Sequence, residues 1–222
     1  MWGDAALVAG KDLRIEMRSK VGVNQVVPFA FVVLVLFAFA LDPDRGVLDR
    51  AAPGLFWVAV LLTSLLAIQR SFALEAVDGS RDGLRLSGLD PAGIFLGKAL
   101  AVAVQLLVLE ALLLLGVAFL YGTALRGFGV LVLTCVLATA GLAGAGTVYG
   151  VMAAGLRVRE TLLPLLVLPV LAPVLLAATR AFEAALAGTP RAATGWLGLL
   201  GCFVALYTFV GVFGFGTLLE EA

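Results

Sequence analysis

Glu110 is the one acidic side chain set in the middle of a long apolar run, twelve residues beyond Lys98. At about 1.5 Å per helical residue that distance is roughly 18 Å, close to the centre of a hydrocarbon layer about 30 Å thick. An ionisable group at such a depth is a functional candidate by default. The alternative is a protonated carboxyl that shares its proton with a hydroxyl such as Ser64, Thr134 or Thr139. Other chemistry is scarce. The chain has no histidine, which removes imidazole as metal ligand, haem ligand or general base. It has no G-x-x-x-x-G-K-[ST] phosphate loop, the nearest approach at 92–99 lacking the first glycine and the final hydroxyl. No G-x-S-x-G occurs and no pair of intramembrane carboxylates, so the chain is read as neither an enzyme nor an ATP binder. Cys135 and Cys202 both fall in apolar segments, where a free thiol behaves as a small hydrophobe.

The second concentration of polar groups is residues 70–98, RSFALEAVDGSRDGLRLSGLDPAGIFLGK, with four basic and four acidic side chains. It is the only long polar interval between strongly apolar segments, so it lies outside the hydrocarbon. Its apolar residues Phe72, Leu74, Val77, Leu84, Leu86 and Leu89 recur loosely between the charges, as in a short amphipathic docking element that turns back into the membrane.

The elements that carry these groups follow from composition. Of the 222 residues 62% are hydrophobic and 14% charged, with a mean hydropathy of +1.11, far from the balance of a soluble domain. Formal net charge is zero and no cationic face for nucleic acid stands out. Apolar segments at 26–41, 53–68, 99–120, 128–152, 161–178 and 196–218 make an all-α polytopic helix bundle of six transmembrane helices in a single domain, 1–222. A signal-peptide reading of the first apolar run, with Ala38-Phe39-Ala40 as its cleavage site, is set aside because the charged stretch before it is long and itself patterned. That stretch, 1–22, places Trp2, Ala6, Ala9, Leu13 and Met17 at helical spacing among charges, an amphipathic helix along the membrane surface.

Six crossings put both termini on one side. Lys11, Arg14, Arg18, Lys20, Arg70, Arg81, Arg85, Lys98, Arg157 and Arg159 fall on that side; Arg45, Arg50, Arg126, Arg180 and Arg191 fall on the other. The richer side is cytoplasmic by the positive-inside rule, so the termini and residues 70–98 are expected there. The fourth crossing contains Gly146 and Gly150, a small-xxx-small pair that suits close packing within the chain or between two copies. The fifth contains Pro164, Pro169 and Pro173, each removing an N–H donor, and is expected inside the bundle or along a cavity.

Surface helix, six crossings and a cytoplasmic segment after the second crossing, in this order, resemble the type-2 exporter permeases of ABC transporters. More closely, the chain resembles the cytochrome c maturation protein B (CcmB) family of haem-exporter permeases. Four stretches carry the likeness: 24–29; 52–59 with 69–72; Glu75, Asp78-Gly79 and 84–90 running to Gly97-Lys98; and 162–169 with Pro173. One departure is Gly88, where the family pattern has proline. The resemblance implies a bacterial inner-membrane permease subunit, in two copies, working with a separate CcmA-type ATP-binding subunit, a CcmC-type haem-handling membrane protein and a small CcmD-type subunit. It implies that ATP and haem are held by those partners and that this chain binds no cofactor of its own. It also makes residues 70–98 the coupling segment, with Glu75, Asp78 and Arg81 as the charges that touch the ATPase and Phe72, Leu84 and Leu86 as apolar anchors. A generic type-2 permease exporting a lipid, drug or polysaccharide would share this topology, as would a scaffold subunit without a transport path.

Overall fold

Hydrocarbon offers no water to satisfy a backbone N–H or C=O, so the apolar segments close their hydrogen bonds internally as helices. The computed structural model describes residues 1–19, 22–41, 45–77, 88–122, 126–154 and 159–221. Among them lie α1 (Trp2–Ser19), α2 (Val27–Ala40), α3 (Arg45–Val77), α4 (Pro91–Leu120), α5 (Phe128–Ala154), α6 (Arg159–Leu186) and α7 (Thr194–Glu221). A π-helical turn, Gly22–Val26, precedes α2, a 3-10 turn, Pro190–Ala193, precedes α7, and no strand occurs among the described residues.

Five of these helices, α3 to α7, are each long and apolar enough to cross a membrane. α2 alone has 14 residues, about 21 Å of helix, which is short of a crossing. Trp2–Ser19 and Asn24–Ala40, inclined to each other by 57°, are long and apolar enough only when taken together as one bent span, which makes five or six candidate crossings among the described residues.

α4 provides the surface on which α1 packs. Gly93, Gly97 and Ala101 recur at every fourth residue and form a shallow groove along which α1 runs in the same direction. A Cβ at Gly93 would lie 2.8 Å from the Asp4 Cβ and the Met1 carbonyl oxygen. One at Gly97 would lie 2.7 Å from the Ala5 carbonyl oxygen and the Val8 Cβ. The buried face of α1 is accordingly Ala5, Val8 and Ala9, whereas Trp2 and Met17 of the expected apolar stripe are 75% and 78% exposed. Hydrophobicity marks the face turned to lipid as readily as the face turned to protein; here small size marks the protein face.

α4 begins at a well-formed cap. Asp90 accepts a hydrogen bond from the Ala92 N–H through Oδ1 at 3.0 Å, and Pro91 occupies the first helical position, where its missing N–H costs nothing. Gly88, just before the cap, has φ +66°, the left-handed region that glycine enters freely.

In the core, Phe56 of α3 stacks on Phe182 of α6 at 4.9 Å between ring centroids, with Trp57 edge-on to both. The glycine face of α5 is buried: Gly141 sits under Phe203 of α7, and Gly146 under Ile68 of α3. Gly146 thus serves contacts within this chain, and Gly150 is buried one turn on. α6 packs against α3, α5 and α7, in keeping with its expected place in the bundle. Val167, Leu171, Val174 and Ala178 are buried, while Pro169 and Pro173 lie exposed on the opposite face and Pro164 is half-buried. Proline removes the N–H that the Leu165 and Pro169 carbonyls would otherwise accept from four residues on.

Candidate functional site

Charges gather at the end of the bundle where α1 meets α3 and α4. Asp12 of α1 places its Oδ2 at 3.6 Å from Nζ of Lys98 and its Oδ1 at 3.2 Å from Nζ of Lys11. Lys98 is only 2% exposed, so this pairing is what lets an ammonium lie against the helix. One turn further along α1, the Glu16 carboxylate lies 3.3 Å from Nε of Arg70 in α3. At the other end of α1, Oδ2 of Asp4 accepts the Asp90 N–H at 3.4 Å. Asp4 is held below the usual carboxylate range by a hydrogen bond from the Met1 amino group and then by that Asp90 N–H.

Arg70 and Lys98 are the two ends of the polar interval 70–98, and both are tied to acids on one face of α1. Phe72 and Glu75 lie in the helical extension of α3 beyond Arg70, which continues to Val77. Asp78, Arg81, Leu84 and Leu86 lie outside the described residues.

Midway through α4, Glu110 is 2% exposed. Thr139 of α5 donates a hydrogen bond from Oγ1 to Glu110 Oε1, and the Cys135 thiol lies against the same carboxyl. Oε2 is buried and has no hydrogen-bond partner among the described residues. Of the three hydroxyls considered from the sequence, Thr139 makes the contact. Ser64 donates instead to the Leu61 carbonyl at 2.8 Å and Thr134 to the Val130 carbonyl at 2.7 Å, the i−3 and i−4 back-bonds open to any helical hydroxyl. Glu110 thus joins α4 to α5 in the middle of the bundle through Thr139 and Cys135.

The acids of α1 that make these ion pairs were not singled out from the sequence. Their signal was the recurrence of Ala5, Val8, Ala9, Asp12 and Glu16 on one helical face, matched by Gly93, Gly97 and Ala101 on α4.

Fold and site together define a polytopic α-helical membrane protein whose ion pairs among the described residues are concentrated where α1 meets α3 and α4. The family model described as CcmB protein matches residues 5–221, and the chain belongs to that family. It is 35% identical over 196 residues to heme exporter protein B of Haemophilus influenzae, covering 87% of each chain. Likeness to heme exporter protein B of Paracoccus denitrificans is 36% over 181 residues, covering 80% of this chain and 82% of that one. With the Escherichia coli K12 protein of the same name it is 35% over 198 residues, covering 87% of each.

Proposed function

We propose that this chain is the membrane-spanning permease subunit of a haem-export ABC complex that serves c-type cytochrome biogenesis in the bacterial cytoplasmic membrane. The observation that carries the reading is the family match over residues 5–221, together with relatives named heme exporter protein B along most of their length. In this reading ATP is bound and hydrolysed by a separate CcmA-type subunit that docks on residues 70–98 from the cytoplasm, where both termini also lie. Haem is handled by a CcmC-type protein with its small CcmD-type companion, and the ATPase cycle drives release of a haem-loaded chaperone. The helical continuation of α3 to Val77 supports the docking role, since it carries Phe72 and Glu75 beyond the Arg70 ion pair on a stiff element. Two copies per complex are supported by the exposed proline face of α6, whose freed carbonyls need protein or water against them rather than acyl chains.

The test is a haem-stained denaturing gel of membranes from cells with this gene deleted and then restored. Covalent c-type haem bands should vanish and return. If they persist unchanged in the deletion strain, the assignment to cytochrome maturation fails. Charge reversal of Glu75 and Asp78 together should abolish co-purification of the ATPase, and intact association would remove the docking role from them.

A further inference from the structure

α1 and α4 meet along surfaces that repeat. On α4, Gly93, Gly97 and Ala101 recur at every fourth residue, and on α1 Ala5 and Ala9 recur at the same interval. A slide of α1 by four residues, about 6 Å along the helix axis, would set Ala9 where Ala5 now lies, or the reverse. The fit of small residues therefore distinguishes poorly between registers one turn apart. Steps of a single turn by one helix past another are an established form of two-state packing. Something other than side-chain size has to choose between them.

Charge does so. Asp12 Oδ2 lies 3.6 Å from Nζ of Lys98, and Glu16 Oε2 lies 3.3 Å from Nε of Arg70. The two acids are separated by the period of the groove itself, and their cations stand on different helices, α4 and α3. A step of α1 toward the end of α4 would carry Asp12 to Arg70 and take it from Lys98. A step back would carry Glu16 to Lys98 and take it from Arg70. Only the present register gives each acid its own cation. Lys98 is 2% exposed and Nε of Arg70 is buried, so withdrawing a carboxylate from either is strongly unfavourable. Stability alone is a poor reason for such pairs, because apolar residues of similar size often serve as well; fixing register is their best-attested use. At the start of α1, Asp4 accepts the Asp90 N–H at 3.4 Å, a long contact made in the same register.

We infer that Asp12 and Glu16 are positioning residues that select one register of α1 on α4 from those a turn apart. In the selected register α1 is tied to Arg70 and Lys98, the two ends of residues 70–98; one turn away it would hold one end only. The acids thereby place the docking segment. Only the docking role of that segment rests on the haem-export reading. The register is a property of the chain alone, so the two can fail separately.

Pulsed electron paramagnetic resonance on the full chain in lipid nanodiscs tests it. Nitroxide labels go on Leu7→Cys of α1 and Leu115→Cys of α4, both exposed positions, with Cys202→Ala to remove the exposed native thiol. Val8 faces Gly97, and Leu115 lies roughly 27 Å further along α4, so a slide of α1 changes this distance directly. The otherwise unaltered chain should give one distance. Asp12→Asn with Glu16→Gln should add a second, discrete distance displaced by about 5 Å, one helical turn. Glu16→Arg alone should add it too, and Glu16→Arg with Arg70→Glu should return the single distance, a rescue that mere loss of packing would not give. Labels on Leu115→Cys and Phe209→Cys, on α4 and α7, should keep their separation throughout and so report an intact bundle; if the double variant moves them, the milder Glu16→Gln is read in its place. A single unmoved distance between labels 7 and 115 in the neutralised chain would overturn the proposal. So would a broad distribution without a second peak, which means that α1 leaves α4 rather than stepping along it, or a reversed pair as heterogeneous as Glu16→Arg.

Discussion

Gly97→Ala adds one methyl group, and its consequence can be worked from the distances around it. The new Cβ would lie 2.7 Å from the Ala5 carbonyl oxygen and 2.7 Å from the Val8 Cβ. One is backbone and the other is fixed to it, so neither can swing aside; α1 as a whole must move off α4. Inserting a methyl group into a packed interface costs about 1–3 kcal/mol, against which alanine's better helix propensity returns about 1 kcal/mol. Gly54 of α3 provides the internal reference, because a Cβ there meets nothing within 4 Å. Gly54→Ala should therefore be neutral or stabilising by up to about 1 kcal/mol. Gly146→Ala should fall between the two: its Cβ would meet the Ile68 Cδ1 and Cγ1, side-chain atoms rather than backbone. The assay is thermal unfolding of the purified chain, combined with limited tryptic cleavage after Arg14 and Arg18. Gly97→Ala should lower the midpoint and speed cleavage, Gly54→Ala should do neither. A Gly97→Ala protein as stable and as resistant as Gly54→Ala would refute the packing of α1 along α4.

Glu110→Gln keeps an acceptor for the Thr139 hydroxyl and should leave both membrane abundance and c-type haem staining at wild-type levels. Normal abundance with lost staining would show that the carboxyl itself is needed. At the ion pair, Glu16→Ala or Arg70→Ala should each destabilise the chain, and a double-mutant cycle should give a coupling of about 1 kcal/mol for this partly buried pair. The reversed pair, Glu16→Arg with Arg70→Glu, should recover most of the loss; zero coupling in the cycle would mean the two groups are independently solvated.

Much of the bundle was legible because its determinants are one-dimensional. Runs of apolar residues set the crossings, the interval 70–98 could not enter hydrocarbon, and counting from Lys98 put Glu110 at mid-bilayer depth. What escaped depends on which way a helix faces. The stripe Trp2, Ala6, Ala9, Leu13 and Met17 reads as the side turned to the membrane; of it Ala9 is buried, together with Ala5 and Val8. In a membrane the apolar side of a helix does not identify its protein partner; closely spaced small residues do, and Gly93-x-x-x-Gly97-x-x-x-Ala101 carried that signal unread. Pro169 and Pro173 share one face of α6 by spacing, but which way the bundle turns that face could not be read from the spacing. The choice of Thr139 over Ser64 and Thr134 as the partner of Glu110 rests on the relative rotation of α4 and α5, which no spacing within one helix encodes. Gly88 shows the converse: the glycine is plain in the sequence, but only the backbone supplies its reason, φ +66°, the left-handed region that glycine enters freely.

Arg70 and Lys98 close the polar interval on a single rod. Their acidic partners, Glu16 and Asp12, are one helical turn apart on α1, so the two feet of the segment are held like those of a stirrup. A load applied between those feet is shared by both and reaches α1 whichever way it is directed.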